Sequence, residues 1–154
     1  MMLDESLTAE AFWNLLESSG RSLSSLCRKL EGLSQRNLQL YQRFYEETRR
    51  SVDPYFDWEE SSPHILKWDS LSEDDAEDFS AWVIMQGQDF YEQVRNHPDL
   101  VQHYIDLFQE SERGLHPELR WDNDVDRDEY RGYQGADSIA YAIHRTRFAK
   151  DMPR

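Results

Sequence analysis

Apolar residues recur every three or four positions almost from end to end of this chain, and no segment alternates convincingly with period two. That spacing puts one apolar face on each of a series of helices and leaves no edge for a sheet. Thr8 stands as the N-cap of a first helix whose Ala9, Phe12, Trp13 and Leu16 share a face, and Gly20 is placed to stop it in the left-handed conformation. Ser22 caps a second, with Leu23, Leu26, Cys27, Leu30 and Leu33 on one side. Ser34 opens a third along Leu38, Tyr41, Phe44, Tyr45 and Thr48, expected to end before Asp53-Pro54, because a residue preceding proline disfavours the helical region.

The strongest start signal is Ser72, whose hydroxyl precedes Glu73, Asp74 and Asp75. Three carboxylates in a first turn oppose the positive end of the helix dipole, each worth about 0.3–1 kcal/mol. Phe79, Trp82, Val83, Phe90 and Val94 carry this helix to Asn96. Gly87 then falls inside it, at a cost near ~1 kcal/mol relative to Ala, which points to close approach of another helix. Pro98 opens the next helix, along Leu100, Val101, Tyr104, Ile105 and Phe108. A last one over residues 137–149 carries Ile139, Ala140, Ile143 and Phe148. The expectation is an all-α, single-domain bundle of about six helices, spanning 8–149 between flexible ends at 1–7 and 150–154. Residues 53–71, broken by Pro54 and Pro63 and carrying Tyr55, Phe56, Trp58 and Trp68, read as a long aromatic-containing loop with a short helix at His64–Trp68.

Charge narrows the function. The 154 residues hold 17 Lys+Arg against 31 Asp+Glu, a formal net charge of -14. Wrapping nucleic acid or docking on anionic lipid needs a basic surface, so both are excluded. The excess is uneven: residues 1–52 hold seven acids and seven bases, whereas 53–79 hold ten acids and one base. Such charge also favours disorder, but 5 Trp, 8 Tyr and 7 Phe supply burial of roughly 150–250 Å² each, enough for an aromatic-rich core. Cys27 is the only cysteine, which excludes an intrachain disulfide and fits a small buried apolar residue. No apolar run reaches the ~18–20 residues that span a bilayer, and Met1–Glu10 is acidic with no apolar h-region. A cytoplasmic protein is expected.

The stretch from Ser72 to Gly87 resembles the signature of a bacterial family, domain-of-unknown-function family 4240: Ser72, Asp74, Phe79, Trp82, Ile84, Gln86 and Gly87 match it. Tyr91 sits near an aromatic position, and Pro98-Asp99-Leu100, Phe12-Trp13 and the Leu30–Ser34 element resemble further parts of the family pattern. Glu73, Ala76 and Ser80 depart from it, standing where the family has an Asp, an aromatic and an Arg. The resemblance covers residues 8–110, with a weak continuation, and Trp121–Gly135 looks unlike the family. It implies a mostly helical bacterial domain, sometimes attached to regulatory modules, and no known reaction.

No catalytic motif is present. The histidines His64, His97, His103, His116 and His144 include no i, i+4 pair, and the six glycines form no phosphate-cradling loop. Asp122–Glu129 alternates Asp like a calcium loop, but Arg127 and Tyr133 occupy the positions that require Gly and a bidentate Glu. The leading expectation is therefore a non-catalytic cytoplasmic interaction or regulatory domain with no cofactor. It would present Asp57, Glu59, Glu60, Glu73, Asp74, Asp124 and Asp126 to a basic protein partner. Two alternatives stand beside it. One is a metal-assisted hydrolase using Asp69, Asp74, Asp124 and His144. The other is a small-ligand sensor with an aromatic pocket between Trp68 and Trp82.

Overall fold

The structure is a computed structural model and describes residues 5–53, 72–125, 127–132 and 135–153. Among these residues it is all-α, as expected. The helices are α1 (Ala9–Glu17), α2 (Leu23–Glu31), α3 (Gln35–Arg50), α4 (Glu73–Met85), α5 (Gln88–Asn96), α6 (Val101–Glu112) and α7 (Ile139–Phe148). Short 3-10 turns lie at Pro98–Leu100, Pro117–Leu119 and Asp128–Tyr130. The helix expected at His64–Trp68, and the aromatic loop around it, lie outside the described residues.

The caps read from sequence are in place. The side-chain oxygens of Thr8, Ser22 and Ser72 accept from the backbone N–H groups of Ala11, Ser25 and Asp75, each at 3.1 Å. Each satisfies one of the donors that a helix start leaves without an intrahelical partner. Gly20 is left-handed at φ +59°, as the stop after α1 requires.

Gly87 corrects the expectation of one helix from Ser72 to Asn96. Its φ of 101° and ψ of 171° lie in a region that essentially only glycine occupies. The chain therefore breaks there into α4 and α5. Gly87 N–H still donates to Ile84 O at 3.1 Å and Gly87 O accepts from Tyr91 N–H at 3.0 Å, so the break leaves both groups paired. The glycine serves the change of direction between α4 and α5.

The chain divides into two compact units: Met1–Glu46 with Trp121–Arg154, and Glu47–Arg120. Helix α3 belongs to both. In the first unit, Phe12 is the hub of the expected aromatic core, with ring centroids at 5.5 Å from Tyr41, 5.8 Å from Phe44 and 6.0 Å from Tyr45. Leu26, Leu30, Ile139 and Ile143 are fully buried there. Residues near both margins of the described chain make contacts with the body of this unit. Leu7 N–H donates to Asn37 Oδ1 at 2.9 Å and Asn37 Nδ2 donates to Glu5 O at 2.8 Å. At the other end Met152 is buried, and Arg145 Nε pairs with Asp151 at 2.9 Å.

In the second unit Phe79, Val83, Ile84, Val94, Ile105 and Phe108 form the core. A buried ion pair joins the end of α3 to it: Arg49 Nη1 reaches Asp53 Oδ2 at 2.7 Å and donates to Ser80 Oγ at 3.1 Å. Ser80 stands where the resembled family has an arginine; its hydroxyl accepts from a guanidinium supplied by α3 and donates to Glu77 O at 2.8 Å. Tyr91 OH and Ser51 Oγ share a hydrogen bond of 2.6 Å, so α5 is also fixed to the chain just after α3.

Candidate functional site

The acidic first turn of α4 is not isolated. Asp75 and Asp78 lie three residues apart, and Asp74 and Asp78 four apart, so they share one side of the helix. Helix α6 packs against α4 and brings Glu112 to the same place. Glu112 is pushed up from the usual carboxylate range by partial burial and then by the Asp78 and Asp75 charges. Asp78 is pushed up likewise, by partial burial, then Asp75 and Asp74. The neighbouring charges that push these two carboxyls up are themselves carboxylates. Over residues 72–120, twelve acids face three bases, so this unit carries a strongly negative field.

The aromatic part of the unit begins one turn further along α4. Trp82 is half-buried, with ring centroids at 5.4 Å from Phe90 and 5.5 Å from Phe108. Its Nε1 is buried and makes no hydrogen bond among the described residues. Gln86, part of the family motif, acts locally. Its Nε2 donates to Trp82 O and Leu119 O, both at 3.2 Å, and so ties the Pro117–Leu119 turn to the end of α4.

Two sequence candidates fall in the first unit and have structural partners. Asp124 accepts from Ser24 N–H and Ser22 Oγ, both at 2.8 Å. Those bonds, the Ser24 one first, hold its carboxyl below the usual range. Asp122 beside it exchanges backbone bonds with the chain before α2: its N–H donates to Arg21 O at 2.8 Å, and its carbonyl accepts from Leu23 N–H at 3.0 Å. The acidic run that resembled a calcium loop is thus partly spent capping α2. His144 is fully buried. Its Nδ1 lies 2.9 Å from Lys150 O, and its Nε2 lies 3.1 Å from Gln39 Nε2 and 3.3 Å from Gln35 Nε2. That set fits a neutral ring that donates from Nδ1 and accepts at Nε2.

Cys27 is buried as expected, and burial, with Glu31 next, pushes its thiol up to about 12. Glu31 gathers three groups: the Cys27 thiol at 3.7 Å, Tyr130 OH at 2.9 Å and the Arg127 guanidinium. Burial raises the Tyr130 phenol well above its ordinary value. This cluster fixes the Asp128–Tyr130 turn to the end of α2.

Among the described residues, no three His, Cys, Asp or Glu side chains stand where they could hold a metal ion. No helix there is long and apolar enough to cross a membrane. Asp57, Glu59, Glu60, Asp126, the hydrolase candidate Asp69 and the pocket candidate Trp68 lie outside the described residues. Of the remaining candidates, Asp74 sits at the carboxylate cluster, Glu73 opens the same helical turn and Trp82 lies one turn further along α4. Sequence reasoning missed Asp78 and Glu112. Asp78 was legible from its spacing to Asp74 and Asp75; Glu112 depends on helix packing and had no local signal.

The fold and this face define an all-α domain with an acidic helical surface and no recognisable reaction centre among the described residues. The chain belongs to the family described as "Protein of unknown function (DUF4240)", which matches residues 7–132. The match reaches past residue 110, so Trp121–Gly132, expected to fall outside the family, lies within it. No curated protein and no solved structure matches the chain.

Proposed function

We propose that this chain is a non-catalytic interaction or regulatory domain of the cytoplasm, whose acidic surface receives a basic protein partner. One observation carries the reading: α4 and α6 bring Asp74, Asp75, Asp78 and Glu112 together, and burial followed by neighbouring carboxylates pushes the Asp78 and Glu112 carboxyls up. Repulsion of this kind opposes folding and is relieved when a partner brings cations. The caps and the Arg49–Asp53 pair supply the rigid frame that keeps the carboxylates together. A lone buried thiol suits a reducing compartment.

The field of this unit also sets how association proceeds. Charge complementarity speeds encounter and rejects acidic competitors, and salt weakens it. A pull-down from native extract with the wild-type chain and with Glu73→Lys/Asp74→Lys/Asp78→Lys tests the proposal. A basic protein retained by the wild type, released by salt and lost from the variant agrees with it. Equal retention on both contradicts it.

A further inference from the structure

The acidic cluster and the aromatic residues of the second unit form one continuous face. On α4, Asp75, Asp78 and Trp82 follow at intervals of three and four, so they lie on one stripe. On α6, Phe108 and Glu112 are four apart; Phe108 meets Phe79 at 5.7 Å and Trp82 at 5.5 Å, while Glu112 feels Asp75 and Asp78. The carboxylates are therefore at one end of the shared face and the rings at the other. One helical turn, ~6 Å along the axis, separates Asp78 from Trp82. Trp82 and Phe90 are half-buried, unlike Phe79 and Phe108 behind them.

We propose that this face binds an extended basic segment of the partner, placing a lysine or arginine head against Asp75, Asp78 and Glu112 and its stem across Trp82 and Phe90. The inference rests on the reading of the chain as a receiver of a basic partner and specifies how that partner is held. Lysine and arginine fit because their stems cover apolar surface while the charged head reaches past it, over about the length of one helical turn. Both cations also gain from an aromatic face, tryptophan most of all. A second copy of the chain does not suit, since each copy carries a net charge of -14.

The test uses the full chain and two synthetic octapeptides of equal charge. One alternates lysine with alanine; the other replaces each lysine with diaminobutyric acid, whose ammonium stays protonated at the mildly acidic pH of the assay and whose stem is half as long. Affinity is measured at low and high salt for the wild type, Trp82→Phe, Trp82→Ala and Asp78→Asn/Glu112→Gln, with circular dichroism confirming each fold. Trp82→Phe keeps a ring in the core if the alanine variant fails to fold.

The expected result is lysine-peptide binding several-fold tighter than that of the short-stemmed peptide. Trp82→Phe narrows this preference without changing the salt dependence, and Asp78→Asn/Glu112→Gln weakens both peptides and flattens it. The wild-type Trp82 indole N–H resonance shifts on addition of the lysine peptide. Equal binding of the two peptides, with Trp82→Phe silent and the carboxamide variant defective, overturns the proposed segment mode and leaves the acidic-surface reading standing. Binding indifferent to both the carboxamide substitutions and salt overturns both.

Discussion

Removing the guanidinium of Arg49 tests the frame that holds the acidic face. Arg49 and Asp53 are 6% and 3% exposed, and their contact is 2.7 Å. Arg49→Met keeps most of the stem volume but takes the cation away from a buried carboxylate. Leaving one partner of a buried pair uncompensated costs about 3–5 kcal/mol, a large share of the roughly 5–15 kcal/mol that holds a domain folded. Replacing both partners with apolar groups removes the stranded charge, so Arg49→Met/Asp53→Leu recovers most of the loss. Urea unfolding followed by far-ultraviolet circular dichroism gives each value, with comparable slopes showing that the same transition is being measured. The expected coupling within the double-mutant cycle exceeds ~1.5 kcal/mol. A cost below about 1 kcal/mol for Arg49→Met, or single effects that simply add, would refute the reasoning.

Three further outcomes follow. Gly87→Ala places a Cβ at φ 101°, a conformation costing on the order of 1–3 kcal/mol, and lowers the unfolding free energy by that amount; an unchanged unfolding free energy contradicts the break between α4 and α5. Asp78 has a raised folded value, so the folded state holds its proton more tightly than the unfolded chain does. Its contribution is present at acidic pH and lost as pH rises through the folded value, so Asp78→Asn stabilises the chain near neutrality, by a few tenths of a kcal/mol for each like-charge neighbour removed. The gain shrinks below the carboxylate range, and a gain independent of pH argues against the cluster. Cys27, pushed up to about 12, is a protonated thiol at mildly alkaline pH; iodoacetamide labels it in urea and spares it in the native chain, which mass spectrometry reads directly.

The helix starts were legible because capping is local. Thr8, Ser22 and Ser72 each bond to a backbone N–H three residues on, and spacing alone reveals that. Gly87 was misread because hydrophobic period continues across it; the positive φ that divides the helix leaves no mark in periodicity. Acidic residues were harder to sort. Asp74 and Asp124 look alike in sequence, yet one stands in a repelling cluster and the other caps α2 from 102 residues away in the chain. Ser80 illustrates the same limit: its arginine contact comes from α3, 31 residues earlier in the chain, and leaves no local mark in the sequence. Glu112 joins the candidate site only through the packing of α6 on α4.

The central claim is that the α4–α6 carboxylates receive a basic partner. The most direct measurement is the dissociation constant of the identified partner, taken by calorimetry at low and high salt, for the wild type and Asp78→Lys/Glu112→Lys. The account predicts a loss of roughly tenfold or more at low salt on reversal, since close charge pairs across an interface couple by more than about 1.4 kcal/mol. It also predicts that the salt dependence flattens. An unchanged constant and an unchanged salt dependence would contradict it.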